Sequence, residues 1–177
     1  MEIIMSDDNS ALPLAGIRVL DLSRVLAGPM CGMVLGDFGA EVIKIEHPER
    51  GDDTRDWGLR VGKTETAYFN SLNRNKRSIT LDLQKPEAVQ IVLDLARQCD
   101  VVIQNFKFGG AEKMGLGYEQ IRAVRPDIVY CSITGYDRSG PDSTAFPSRD
   151  RAPPAAVCGS WPGCQAAFFP QSGPAGS

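Results

Sequence analysis

The sequence predicts an α/β fold, with a mostly parallel sheet covered by helices on both faces. Residues 17–46 read as a strand, a sharp loop, a helix and a second strand. Strand and helix patterns then alternate as far as residue 133, which is typical of a parallel sheet. Polar residues gather just after the predicted strands, at the edge where open α/β sheets bind ligands.

The opening unit shows the pattern most clearly. IRVLDLS is a short apolar run suited to a buried strand, RVLAGP is a turn, MCGMVLGDFGA is a small-residue helix ending at Gly39, and EVIKIE is the second strand. Pro29 falls in the first helical turn, where its missing N–H would have no partner. The exposed helix N-terminus suits an anion, although an ordinary packing unit has the same pattern.

The sequence patterns that predict the later strands and helices are less pronounced but regular. Residues 78–83 alternate as a strand does, and Pro86 opens a helix whose apolar residues are three and four apart. Residues 99–103 and 128–133 are further predicted strands, with helical stretches after Gly110 and over 118–124. Right-handed crossovers place the loops that follow the strands along one edge.

Composition narrows the class of protein. The 177 residues are 42% hydrophobic and 23% charged, with a net charge of -3, which gives no reason to expect nucleic acid or an anionic membrane as a partner. No apolar run reaches eighteen residues, and five cysteines form no CxxC pair, so a cytoplasmic protein is expected. His47 is the sole histidine, which disfavours a histidine-based metal site. Neither G-x-G-x-x-G nor a Walker loop is present, which weakens an NAD or ATP interpretation.

Two segments carry candidate binding residues. Arg74, Lys76 and Arg77 lie within four residues and could pair with phosphates, or form a solvated basic turn. Asn105 and Phe106 could hold a purine ring, or be a turn asparagine and a core phenylalanine.

Six segments together resemble the N-terminal part of the family III CoA-transferases, over about residues 14–141. They are LDLSRVLAGP, LGDFGAEVIKIE, GDDTR, NRNKRSITLDL, VVIQNFKFGGAEKMGLGYE and IVYCSITGY. The family includes formyl-CoA, carnitine and succinyl-CoA-dependent enzymes. The resemblance implies a Rossmann-like large domain, incomplete here, and a homodimer of interlocked subunits.

The resemblance also implies coenzyme A as substrate, with no metal and no NAD. His47 stands where some relatives carry an arginine, and Arg55 is expected to be structural, tied to Asp52 or Asp53. The implied coenzyme-binding residues are Val25, Leu26, Ala27, His47, Arg74, Lys76, Arg77, Asn105, Phe106, Lys113 and Met114.

Catalysis in this family belongs to one aspartate, whose carboxylate attacks an acyl-CoA and then carries CoA as a thioester to an acceptor acid. That residue lies well beyond the TGY segment, so this chain is expected to lack it; Asp150 is a remote substitute. The GDDTR and NRNKRS segments suggest succinyl-CoA as donor. Alternatives are an inactive fragment that binds CoA weakly, or a racemase resembling the α-methylacyl-CoA racemases, disfavoured because no second histidine is present.

The sequence divides at two points: residues 1–13 form an N-terminal extension, 14–142 the domain part, and 143–177 a divergent tail. The tail is dense in Pro, Ala, Gly and Ser, shows no helical or strand period, and has no charge after Arg151. Such a segment is expected to lack fixed structure. A frameshift near codon 143 would explain it; a genuine flexible tail is the alternative.

Overall fold

The computed structural model describes residues 12–135 and the backbone of 156–159. Within these ranges six strands form one sheet in the order β3-β2-β1-β4-β5-β6, with β1 to β5 parallel and β6 antiparallel to β5. The strands are β1 (Arg18–Asp21), β2 (Glu41–Glu46), β3 (Lys76–Thr80), β4 (Val101–Gln104), β5 (Val129–Thr134) and β6 (Ala156–Gly159). The helices are α1 (Ala27–Asp37), α2 (Ala67–Asn73), α3 (Pro86–Ala96), α4 (Gly110–Lys113) and α5 (Tyr118–Val124), with a 3₁₀ helix over Asp53–Asp56.

The predicted α/β class is confirmed, and the differences are local. The apolar piece 67–72, not assigned from the sequence, lies in α2, where Thr66 caps the helix by accepting a hydrogen bond from the Phe69 N–H. Strand β3 begins at Lys76 rather than Ser78 because Lys76 pairs with Val42 of β2.

Strand β6 was not predicted, since its four residues carry no strand signal of their own. They pair with Cys131 to Thr134 of β5. The rest of the predicted tail, Asp150 included, lies outside the described residues.

Alternation along the strands divides the core into two layers. Leu20, Val102 and Tyr130 point to one face, under α3 and α5. Val19 and Ile103 point to the other, under α1. Each fully buried aliphatic side chain contributes roughly 1.5–3 kcal/mol, so burial on both faces holds the sheet between its helices.

The end of α1 is fixed by Gly39, which has a φ of +102°. A Cβ there would lie 2.6 Å from the Leu12 Cβ, so only glycine fits the close approach of the N-terminal segment. The chain then turns directly into β2.

The strand order reverses between β1 and β4, because the chain winds outward through β2 and β3 and then returns to the other side of β1. In open parallel sheets this reversal opens a crevice at the carboxyl ends of the two strands. We call the loops at these strand ends, residues 22–27, 47–55 and 105–110, the carboxyl edge. Among the described residues, no helix has the length and apolar character needed to cross a membrane.

Candidate functional site

A buried ion pair lies beneath the loop that follows β1. The Lys44 Nζ is 2.9 Å from the Asp52 Oδ2 and donates a 2.8 Å hydrogen bond to the Ser23 carbonyl oxygen. Both side chains are almost fully buried. Burial acts to raise the pKa of Asp52, but the Lys44 charge and hydrogen bonds from Thr54 outweigh it and lower that pKa. The pair ties the loop after β1 to the loop after β2.

The same aspartate holds an unusual backbone conformation at Val25. Val25 has a φ of +72°, which is sterically costly for a β-branched residue. Its N–H donates to both carboxylate oxygens of Asp52, each at 3.3 Å. Strained backbone that its surroundings hold in place is often found at functional sites.

Close packing fixes the start of α1 against this loop. A Cβ on Gly28 would lie 2.2 Å from the Ser23 Cβ and Oγ, so any other residue at position 28 would displace one of the two segments. The start of α1 can lie this close to the loop only because residue 28 is a glycine. Leu26 and Ala27, just before Gly28, are exposed at its rim.

Asn105 closes the crevice between β1 and β4. Its Oδ1 accepts a 2.9 Å hydrogen bond from the Arg24 N–H, and its Nδ2 donates a 2.7 Å bond to the Arg24 carbonyl oxygen. Phe106 follows, half-buried, with its N–H bonded to the Gln104 Oε1 at 2.7 Å. The structure thus brings together two predicted groups that are far apart in sequence: Val25 to Ala27, and Asn105 with Phe106.

Arg55 is structural, as expected, but its partner is Glu46. The guanidinium binds this carboxylate through Nε at 2.6 Å and Nη2 at 2.8 Å and stacks over the Phe69 ring, with Cζ 3.7 Å from the ring centroid. Burial would raise the pKa of Glu46, yet hydrogen bonds from Arg55 and Ser78 hold it below its usual range. Asp52 and Asp53, the partners expected from the sequence, bond instead to Lys44 and Arg24.

A polar groove of about 390 Å³ opens at the carboxyl ends of β2 and β3. The His47 Nδ1 accepts hydrogen bonds from the N–H groups of Glu49 and Arg50, so a neutral His47 carries its proton on Nε2. Among the described residues, neither Arg50 nor Lys63 has a carboxylate within ion-pair distance. The groove residues are Glu46, His47, Pro48, Glu49, Arg50, Gly51, Arg55, Asp56, Arg60, Lys63, Thr64, Ser78 and Thr80.

The three cations of the predicted basic turn lie elsewhere. Arg74 and Lys76 flank the start of β3, at the amino ends of the parallel strands, and Arg77 follows. Arg74 forms a two-point ion pair with Asp37 (3.0 and 2.5 Å), and Arg77 lies 3.1 Å from Glu41.

Lys76 is buried. Its Nζ lies 2.9 Å from the Asp21 Oδ2 and donates to the Pro29 carbonyl oxygen and the Asn73 Oδ1. Burial lowers the pKa of Lys76, and the Asp21 charge partly opposes that effect. Each of the three cations in this segment therefore has a carboxylate partner within the fold.

Lys113 and Met114 end the short helix α4. Lys113 is exposed, whereas Met114 is half-buried and packs with Phe106 against the core under α3 and α5. Neither Lys113 nor Met114 contacts the loop after β1 through a hydrogen bond or ion pair that the described structure shows, so their role in binding stays a prediction. No group of three or more metal-ligating side chains gathers anywhere in the described part of the chain.

Comparison with known proteins identifies relatives of one kind. The model of CoA-transferase family III matches residues 14–161, which extends 25 residues beyond the last of the six sequence segments, IVYCSITGY, at residue 136. A succinyl-CoA:glutarate CoA-transferase from Mus musculus is 55% identical over 138 residues, covering 78% of this chain and 32% of that protein. A succinate–glutarate CoA-transferase from Agrobacterium fabrum is 50% identical over 139 residues, covering 75% and 35%.

The fold agrees with that family. A crystal structure of a CAIB/BAIF family protein from Brucella suis matches with a TM-score of 0.71 at 49% identity, over 75% of this chain and 36% of that one. The chain thus spans about a third of the length of the curated relatives it matches. The loops described above, with their buried ion pairs, belong to the shared region.

Proposed function

This chain belongs to CoA-transferase family III, and we propose that its carboxyl edge binds coenzyme A, as an acyl-CoA. The observation that carries the proposal is the crevice where the strand order reverses. There the Asn105 amide clamps the Arg24 backbone and joins the loops after β1 and β4. Both loops were expected to contact CoA, and the fold makes them neighbours.

The pantetheine arm is proposed to lie along Val25, Leu26 and Ala27, beside Phe106. An extended, mostly apolar arm suits an exposed leucine and a half-buried aromatic ring. The strained Val25 backbone, held by Asp52, would present this loop in one arrangement before the ligand arrives.

The nucleotide phosphates are proposed to occupy the groove of His47, Arg50 and Lys63. Of the four cations that line the groove, Arg50 and Lys63 lack carboxylate partners among the described residues, whereas the cations of Arg74, Lys76 and Arg77 already have theirs. A phosphate near Arg50 could be bound bidentately, because a guanidinium presents parallel donors. His47 Nε2–H adds one neutral donor.

The proposed reaction is transfer of CoA between dicarboxylic acids, with succinyl-CoA as donor and a glutarate-like acid as acceptor. The support is the naming of two relatives at 55% and 50% identity, which act on succinyl-CoA or succinate and glutarate. In the proposed mechanism an aspartate carboxylate of the full-length enzyme attacks succinyl-CoA and expels the CoA thiolate, which then attacks the aspartyl carbonyl of the mixed anhydride, releasing succinate and leaving an enzyme thioester. The acceptor carboxylate attacks that thioester in turn, and the CoA thiolate released then attacks the acceptor's carbonyl in the new anhydride, which gives the product acyl-CoA and frees the aspartate.

The buried aspartates near the crevice are poor nucleophiles for this step. Asp21 is ion-paired with Lys76 and Asp52 with Lys44, both away from solvent. We therefore propose that this chain binds CoA but does not turn over by itself. Incubation of the chain with succinyl-CoA and isotopically labelled glutarate would contradict this if labelled glutaryl-CoA accumulated.

A partner surface is proposed on the outer face of α1. Met30, Val34 and Phe38 recur every fourth residue and are 39–50% exposed. Such a stripe is suited to a second subunit, which supports the interlocked homodimer implied by the family. Sedimentation velocity of the wild type and of Met30→Lys tests this: the variant should shift toward monomer.

The deciding experiment is calorimetric titration of the chain with CoA, using Asn105→Ala and, as matched control, Asn70→Ala. Asn70 is an exposed asparagine whose Nδ2 donates a 3.2 Å hydrogen bond to the Glu65 carboxylate. We expect Asn105→Ala to weaken CoA binding at least about tenfold, equivalent to roughly 1.4 kcal/mol, and Asn70→Ala to leave it unchanged. A folded wild type that does not bind CoA would overturn the proposal.

A further inference from the structure

Two thiols that the proposed CoA site does not use lie together between α1 and β5. Asp21, Ile103 and Cys131 occupy one row across three neighbouring strands, on the face under α1. Cys31 projects from α1 into the same cluster, beside Gly32, whose own Cβ would lie 3.0 Å from the Asp21 Oδ2.

Both thiols pack against the same buried cluster of Val19, Ala40, Val42 and Ile103. The Cys131 thiol donates a hydrogen bond to the Cys31 sulfur, and both residues are half-buried and free of disulfides. Cys99, the third cysteine within residues 12–135, is fully buried against α3 and α5 on the other face of the sheet. A partly accessible thiol with a second thiol in contact is the arrangement in which oxidation can be resolved within one chain.

The hydrogen bond between the two thiols favours ionisation of Cys31 over Cys131. The hydrogen bond from Cys131 lowers the pKa of Cys31 to about 7, with help from the Lys76 ammonium of β3, while burial and the Asp21 carboxylate of β1 oppose it. The same hydrogen bond and burial raise the pKa of Cys131 above its ordinary value. Cys31 is thus the nucleophile of the pair near neutral pH, and Cys131 stays protonated.

We propose that Cys31 and Cys131 form a peroxide-responsive dithiol that closes into an intramolecular disulfide. The Cys31 thiolate attacks one oxygen of a hydroperoxide; the O–O bond breaks, a sulfenic acid forms, and the departing hydroxide takes up a proton to leave as water. The Cys131 thiol then attacks the sulfenic sulfur, forming the S–S bond, and its proton leaves with the hydroxyl as a second water. The two thiols lose two electrons and the peroxide gains two.

Closure would pin α1 to β5. Helix α1 starts at Ala27, the last residue of the loop after β1, and β5 ends at Thr134, at the same edge of the sheet. The bridge therefore constrains two elements next to the carboxyl edge. The bond also closes a long loop, which restricts the unfolded chain more than the folded one. The oxidised chain should therefore unfold at a higher urea concentration than the reduced chain.

The test is mass spectrometry of the full 177-residue chain after treatment with hydrogen peroxide, followed by peptide mapping without reduction. We expect a linked peptide containing Cys31 and Cys131 and the loss of two hydrogen masses. In Cys131→Ser, the Cys31 sulfenic acid should persist and react with dimedone. Cys99→Ser is the matched control, and its Cys31–Cys131 link should form as in the wild type.

A second measurement needs no variant. Alkylation of Cys31 in the wild type should rise with a midpoint near pH 7 and, at that pH, proceed at least about tenfold faster than alkylation of Cys99, whose pKa is raised by burial to about 11. The proposal is overturned if the link joins Cys31 only to Cys158 or Cys164, or if no Cys31–Cys131 peptide forms. It is equally overturned if Cys31 titrates near its ordinary value of 9.0.

Discussion

Two regions of this molecule carry several cations, and the fold treats them differently. The segment with Arg74, Lys76 and Arg77 is the denser cluster, yet each cation there faces a carboxylate, and Lys76 is buried against Asp21. The cations of the groove at the carboxyl edge are more widely spaced in sequence. Arg55 and Arg60 are ion-paired, whereas Arg50 and Lys63 lack carboxylate partners among the described residues. Local charge density in a sequence therefore does not measure the charge available to a ligand.

The physical reason is the cost of removing a charge from water. A cation buried under a helix loses its hydration. Unless a carboxylate in the fold pairs with it, this desolvation costs the folded state several kcal/mol. A cation at the rim of a groove keeps its hydration and can exchange it for a ligand phosphate. The first region thus serves stability, and the second is proposed to serve binding.

The largest effect is expected from Lys76→Met. The substitution leaves the Asp21 carboxylate buried without its partner, which should reduce the free energy of unfolding by about 3–5 kcal/mol. Urea unfolding followed by circular dichroism measures it. Adding Asp21→Asn should recover part of the loss, and a Lys76→Met chain as stable as the wild type would contradict the structural role.

A smaller loss is expected from Glu46→Gln, because Arg55 remains partly exposed to water. About 2–3 kcal/mol of unfolding free energy should be lost at pH 7. The pH dependence should change too. The pKa values of Glu46 and Asp52 are lowered in the folded state, so their contribution is complete above the ordinary values of 4.5 and 3.8 and is lost as the pH falls below them.

Urea midpoints measured between pH 7 and pH 3 check this. The wild type should lose stability from about pH 4.5 downward, and Glu46→Gln should lose less over the same interval. Parallel curves for the two chains would show that the Glu46–Arg55 pair does not set the acid sensitivity.

The groove is tested by Arg50→Gln with Lys63→Gln. If these side chains bind the nucleotide phosphates, CoA affinity should fall about tenfold, or roughly 1.4 kcal/mol, and the salt dependence of binding should weaken. The unfolding free energy should stay within about 0.5 kcal/mol of the wild type. Titration with CoA and with 3′-dephospho-CoA would show which phosphate is involved, and unchanged affinity for both would exclude the groove.

The smallest effect on stability and on CoA affinity is expected from Arg77→Gln. This variant also removes a positive charge and is therefore the matched control for Arg50→Gln with Lys63→Gln. Arg77 is exposed and its pair with Glu41 lies at the surface, so the loss of stability should be about 0–1 kcal/mol. CoA affinity should not change. A tenfold loss of CoA affinity in this variant would instead assign the phosphate site to the segment of Arg74, Lys76 and Arg77.

Much of the fold could be predicted because it depends on local patterns. Alternating apolar strands, Pro86 at a helix start and Gly39 at a helix end each act over a few residues. Strand β6 could not be predicted, because its residues carry no strand signal and gain their order from pairing with β5. The bounds of β3 were shifted for the same reason, since its register is set by β2.

The candidate site likewise has features that the sequence predicts and features that depend on the tertiary structure. The sequence by itself determined the α/β class, the loops that carry polar residues, and the resemblance to the CoA-transferase family, because these follow from residue types in order along the chain. Only the tertiary structure decided that Asn105 clamps Arg24, that Arg55 binds Glu46, that Cys31 meets Cys131, and which cations remain unpaired. Each of these depends on the distance between side chains remote in sequence, and sheet order and register set that distance.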